Sequence, residues 1–392
     1  MTNSPPTAES PSPPESLSPA ESSSPSPSPA ESNSGQLAYT SYLRVVAIIG
    51  VVLIHTAGLT YGNDALRHSG AWWVASLATF STKWAVPAFV MVSGALLLQP
   101  PADRSVSVFY RRRLSRIGIP LVVWHVVYIT LSATILADSV QPRMLVARFL
   151  RGESYVGLYF FWLILGLYLV TPLLWPIVAG ISRRALGVVG ALLVAAAALN
   201  RSTLQLIGEL EGGSSPAGDP TFFTQFVPYI GFFILGYALR DVIVRGSGRV
   251  LALAALTTAL CLELTWQVTG PFVFGTEAAR ILNTVMPVSY QGWVLGAAAV
   301  AVFVLAHSVM HPQSRWAQPR AARWARAAGD LTLGVYATHQ VVLIALMRVP
   351  GHNWPDGAKT LPQLVALCTA TLLGAVVMTM VIKRIPLLRR SV

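Results

Sequence analysis

Charge is what this chain lacks most. Only 11% of its 392 residues are Asp, Glu, Lys or Arg, against about a quarter in ordinary soluble domains. A soluble domain needs a charged surface to stay hydrated, so the composition excludes one as the bulk of the chain. Cysteine is almost missing as well. Cys261 and Cys368 lie in separate apolar segments, which argues against a disulfide framework. The first residues have neither the basic start nor the apolar core of a secretory signal. Acid is the rarer sign of charge, with 16 Asp and Glu against 28 Lys and Arg and a net charge of +12.

In place of charge there are long apolar runs, and 54% of the residues are hydrophobic. A membrane-crossing helix needs ~20 such residues in a row. Ten segments qualify, near 42–61, 72–98, 117–136, 157–178, 186–204, 222–240, 250–269, 289–309, 331–348 and 361–382. Asn200 and Arg201 are expected to cut the fifth one short. Barrel strands would alternate in short stretches instead, so the predicted fold is all-α, a polytopic membrane protein with about ten transmembrane helices.

The basic excess follows this topology. Eighteen Lys and Arg fall on one side of the predicted spans and eight on the other, with Arg44 and Lys83 inside spans. Cytoplasmic loops are the ones enriched in Lys and Arg, so the first side, with both termini, is predicted to be cytoplasmic. No nucleic-acid partner is expected. Residues 1–35 are almost wholly Pro, Ser, Glu and Ala, a composition that cannot bury enough apolar area to order itself. They are read as a disordered cytoplasmic tail, ahead of one membrane domain over 36–392. The segments "VPAFVMVSGALL" and "VPYIGFFILGYAL" are alike, but Pro, Gly and aliphatics explain that likeness by chance. The lack of a clear inverted repeat argues mildly against a secondary transporter.

Polar residues inside such segments are costly and mark pathways or buried contacts. In "YLRVVAIIGVVLIHTAG" eleven positions separate Arg44 from His55, a rotation of about 20° beyond three turns and a rise of about 16 Å. Both therefore share one face. Arg44 as a snorkelling anchor and His55 as an interhelical hydrogen-bonder is the plainer alternative. In "FYRRRLSRIGIP", Arg111, Arg112, Arg113 and Arg116 crowd the mouth of the third span. Guanidinium forks suit phosphate, although positive-inside charge and lipid attraction would explain them too. Lys83 either snorkels or meets an anionic acceptor, and Ser93-Gly94 permits close helix approach. His125, His339 and Glu263 complete the buried polar set, with structural hydrogen bonding the favoured role for the two histidines.

These pieces together resemble a known family. "LRVVAIIGVVLIH" is similar to the first-helix motif of the acyltransferase 3 family, an Arg, ten residues, then a His. "VPAFVMVSGALLL", "FYRRRLSRIGIPL" and "LGVYATH" are similar to its second-helix, loop and late-helix signatures. "LYFFWLILGLYLVTPLL" and "NWP" (353–355) resemble members that O-acetylate an enterobacterial surface polysaccharide. The likeness covers roughly 38–385. It implies a multi-pass protein of the bacterial plasma membrane that takes an acyl group, acetyl above all, from cytoplasmic acyl-CoA. The acceptor would be a hydroxyl of an envelope sugar, polysaccharide or glycolipid. Acyl-CoA would be a co-substrate, with no permanently bound cofactor and no metal.

By the same resemblance, His55 and Arg44 are the catalytic residues, and Arg113, Arg116 and Arg111 hold the acyl-CoA phosphates. Lys83, Ser93, His339 and Glu263 are candidates for acceptor binding, with packing the stronger reading for Ser93. Two departures bear on the acceptor. Ser41 stands where many members have Asp or Asn, and Gly157-Leu158-Tyr159-Phe160 replaces His-Leu-Trp-Phe. The main rival reading is a transporter or flippase for a glycolipid or polysaccharide precursor. A non-catalytic partner in envelope synthesis is a weaker one.

Overall fold

The computed structural model describes residues 1–2, 38–99, 105–134, 142–152, 155–211, 220–273, 275–285, 289–311, 314–349 and 357–392. All but the first two residues of the predicted tail, and the "NWP" stretch, lie outside them. Among the described residues every regular element is helical. The helices are α1 (Ala38–Tyr61), α2 (Gly70–Phe80), α3 (Ala85–Leu97), α4 (Val106–Thr134), α5 (Pro142–Leu150), α6 (Tyr159–Gly180) and α7 (Arg183–Leu210). There follow α8 (Ile230–Ala238) and α9 (Ser247–Leu264), the latter running on through a π-helical turn at Thr265–Thr269. After a single α-helical turn at Gly270–Val273 come α10 (Thr276–Val285), α11 (Trp293–Val309), α12 (Pro319–Gly329), α13 (Thr332–Met347) and α14 (Leu361–Arg384).

Among the described residues, seven helices are long and apolar enough to cross a membrane, and the pair α12–α13, bent by 48°, makes an eighth. Two further apolar helices, Val227–Ala238 and Trp293–Val309, fill the remaining expected segments but are shorter than that measure. The protein is therefore a multi-pass membrane protein. One boundary needs correcting: α7 continues to Leu210, straight through Asn200 and Arg201. Neither residue breaks a helix, since Asn only weakly disfavours one and a long Arg stem covers apolar surface while its head seeks polar partners. The expected second span is one of the seven, Gly70–Leu97, made of α2 and α3 joined by a turn at 81–84 where Trp84 Nε1 donates to the Ser81 carbonyl at 2.7 Å.

α1 is the hub, packing against α2, α3, α12, α13 and α14. The tightest crossing pairs α3 with α8, the two segments whose sequences are alike. A Cβ at Gly94 would strike the backbone of Phe233, and one at Gly236 would strike that of Met91. Lipid supplies no hydrophobic push between helices, so close backbone approach at small residues is what holds such a crossing. Substituting either glycine would force α3 and α8 apart, and α3 supplies one wall of the site described next.

Candidate active site

The polar face of α1 lines a cavity of about 420 Å³. At 29 residues α4 is about 43 Å long, more than the ~30 Å hydrocarbon core. Its arginine-bearing turns can therefore sit at the interface while the rest spans. Those turns bring Arg113 and Arg116 to the cavity beside Arg44. About 16 Å further along α1, by helical rise, stands His55. Val86, Phe89, Ile117 and Phe160 line the cavity between polar groups.

At the basic end, Arg44 Nη2 donates to Ser41 Oγ at 3.2 Å, and Arg44 Nε is buried without a partner. A Cβ at Gly329 would come within 3.3 Å of Arg44 Nη2, so the small residue closing α12 lets the guanidinium lie against the bend. Asp330, next in the chain, faces the same cavity. It lies within electrostatic reach of Arg44, as do Arg116 and Tyr168. Three arginines thus share this end with one carboxylate, and positive charge is in excess.

At the other end the imidazole of His55 is half-buried and faces Gly157, where an added Cβ would sit 3.3 Å from Nε2. Gly157 has φ +88°, a left-handed conformation that disfavours any side chain. Its carbonyl accepts the Tyr336 hydroxyl, and the Tyr336 ring lies 5.2 Å from that of Phe160. Behind His55 is His339, ring centroids 5.2 Å apart. His339 Nδ1–H donates to the Tyr336 carbonyl at 2.7 Å, while Nε2 is buried and unpartnered.

The structure thus gathers Arg44, His55, Ser93, Arg113 and Arg116 around one space. Ser93 also donates to the Phe89 carbonyl at 2.9 Å, a local helix bond. His339 touches His55 but does not line the space. Arg111 faces an adjoining cavity. Lys83 and Glu263 are elsewhere, paired with each other at 3.8 Å, with Lys83 Nζ 4.0 Å from the Phe80 ring centre. His125 is a structural hydrogen-bonder: Nδ1–H donates to the Leu121 carbonyl at 2.7 Å and Nε2 accepts from Trp162 Nε1 at 2.9 Å.

Asp330, Tyr168, Gly157 and Tyr336 line the cavity without having been singled out as its residues by spacing. Asp330 had a signal, being the acid in "AAGDLTLG" between a basic helix and an apolar one. The other three fall in stretches noted for their family likeness, Gly157 as a departure from it, but their place at the cavity depends on which helices meet.

An elongated, partly apolar space with guanidinium groups at one end and an imidazole at the other suits a long amphipathic anion. Its charged head would be held at the arginines and its reactive end presented to the imidazole. Comparison with known proteins points the same way: a family model described as an acyltransferase domain matches residues 37–380. No curated protein and no solved structure gives a significant match.

Proposed function

Because the chain belongs to the acyltransferase 3 family of membrane proteins, we propose that it is an O-acyltransferase, in the first place an O-acetyltransferase. It takes the acyl group from acyl-CoA on the cytoplasmic side of a bacterial plasma membrane and delivers it to a hydroxyl of an envelope sugar. The observation that carries this reading is the single cavity joining Arg44, Arg113 and Arg116 to His55. Acyl-CoA has the matching form, with phosphates at one end, a flexible arm, and a thioester at the tip.

In this mechanism the phosphates dock on Arg113 and Arg116, and the pantetheine arm follows the face of α1 toward His55. Neutral His55 removes the proton of the acceptor hydroxyl as its oxygen attacks the thioester carbonyl. The new C–O bond forms, the C–S bond breaks, and the imidazolium returns its proton to the departing thiolate. Arg44, at the arginine-rich end about 16 Å from His55 by helical rise, orients the donor through its phosphate end. A variant route passes through an acyl-histidine at His55.

The acceptor class rests on likeness of sequence. "LYFFWLILGLYLVTPLL" (158–174) resembles the enterobacterial common antigen O-acetyltransferase, which favours a polysaccharide or glycolipid sugar. The adjoining difference, Gly157 for His, falls directly against His55, where an added Cβ would sit 3.3 Å from Nε2. A differently substituted sugar is the expected consequence of changed surroundings at this nitrogen.

Labelled acetyl-CoA supplied to membranes containing the protein tests the reading. His55→Ala should insert in normal amount and leave envelope material unlabelled. Near-normal labelling by that variant would exclude the base role, and no labelling by the wild type would favour a transporter instead.

A further inference from the structure

Next to the acyl cavity lies a second one of about 430 Å³, and its chemistry is different. It is lined by Arg111, Ser115 and Arg116 of α4, by Asp330, and by Arg389 and Arg390 from the turn that follows α14. Some 270 residues separate the two arginine pairs in sequence. They meet because the turn is anchored. Trp124 Nε1 of α4 donates to the Ser391 carbonyl at 2.7 Å, Ser391 Oγ donates to the Leu388 carbonyl at 2.7 Å, and Ser391 is 4% exposed. Arg389 and Arg390 are themselves exposed and open to a soluble ligand.

Four guanidinium groups facing one hollow with a single carboxylate repel one another. Orienting a membrane protein requires only that positive charges lie on one side, and repulsion would then spread them apart. Folding the last pair back onto the first makes sense when an anion fills the space between them. Arginine forks bind phosphate with two parallel hydrogen bonds, and Ser115 adds a neutral donor. The two cavities also share Arg116 and Asp330, so an anion held here sits beside the mouth of the acyl tunnel.

We propose that this second cavity is a subsite for the ribose 3′-phosphate of the acyl donor, with Arg389 and Arg390 closing on it opposite Arg111. The inference rests on the acyl-CoA reading above and deepens it. The donor carries two separate phosphate groups, a bridging diphosphate and a terminal monoester. The shared Arg116 takes the diphosphate at the tunnel mouth. The side cavity takes the monoester, which fixes the nucleotide across the entrance and distinguishes acyl-CoA from donors that lack it. An anionic lipid headgroup offers the same phosphate chemistry and is the competing source.

The test compares acetyl-CoA with acetyl-3′-dephospho-CoA as donors for the full chain in discs of phosphatidylcholine, wild type against Arg389→Gln/Arg390→Gln. The wild type should prefer acetyl-CoA at least tenfold in KM, and the double variant should bring the two donors level. Arg389→Lys/Arg390→Lys, which keeps the charge but not the fork, should fall between. A preference that survives in the Gln variant overturns the inference. So does a variant defect seen only when phosphatidylglycerol is added to the discs, since that assigns the cavity to lipid. Equilibrium binding of adenosine 3′,5′-bisphosphate against adenosine 5′-monophosphate provides a readout without turnover. If the wild type transfers from neither donor, the acyl-transfer reading fails. The subsite stands or falls separately on whether the bisphosphate binds more tightly and loses that advantage in the variant.

Discussion

The imidazole rings of His55 and His339 lie 5.2 Å apart, tilted by 40°. His339 comes from α13 and is held by its Nδ1–H bond to the carbonyl of Tyr336, the residue whose hydroxyl reaches the carbonyl of Gly157. The candidate base thus lies against His339 of α13 and against Gly157, whose carbonyl is tied to the same helix. Its orientation is set by α13 as much as by its own helix α1.

His339 is accordingly a positioning residue. His339→Ala would leave a void behind the His55 ring, and a misplacement of about 1 Å can cost roughly 100-fold in rate. The expected result is kcat reduced by about 10- to 100-fold with KM for the donor little changed, measured on purified protein in lipid discs. His339→Phe refills the void and should recover part of the loss. A wild-type kcat from His339→Ala would show that the ring contact is dispensable.

Gly157 makes a sharper prediction. A side chain here must adopt φ near +88° and place its Cβ 3.3 Å from His55 Nε2. The backbone cost is about 1–2 kcal/mol, which a membrane-embedded bundle can absorb, whereas obstruction of the candidate base nitrogen is local. Gly157→Ala should therefore insert and unfold almost normally yet transfer acyl groups far more slowly. Equal loss of activity and of thermal stability would mean that the defect is in folding.

Lys83 and Glu263 form the buried ion pair beside the break between α2 and α3, with 19% and 1% of their side chains exposed. Both oxygens of Glu263 lack a hydrogen bond, so the cation beside them is their main compensation. Removing one partner of such a pair typically costs about 3–5 kcal/mol, while replacing both is often neutral. Lys83→Met should lower the melting temperature markedly, and Lys83→Met/Glu263→Gln should restore most of it. A melting temperature for Lys83→Met equal to that of the wild type would show that the pair contributes little, and would return Lys83 to the list of acceptor contacts.

Much of this was legible in the residues. Arg44 and His55 share a face because helical periodicity is local, and lipid forces a continuous apolar run to satisfy its backbone as a helix. The same periodicity, read with the basic run 111–116, pointed to a polar lane entered from an arginine-rich mouth. The likeness of "VPAFVMVSGALL" to "VPYIGFFILGYAL" was visible, but not that these segments cross at Gly94 and Gly236. Nothing in spacing separated Lys83, which pairs with Glu263 away from the cavity, from Arg44, which opens into it.

What the sequence by itself determined is the membrane class, most of the helical segments, the family and the shared face of Arg44 and His55. Each of these depends on composition, a repeat of 3.6 residues, or a short motif. Only the tertiary structure decided that Asp330 shares a cavity with Arg44, that Gly157 and His339 lie against His55, and that Arg389 and Arg390 return to Arg111 and Arg116. Those meetings depend on how helices far apart in the chain cross and bend, and the crossing is set by close packing at small residues and the 48° bend between α12 and α13. Local pattern carries no record of which distant faces will touch.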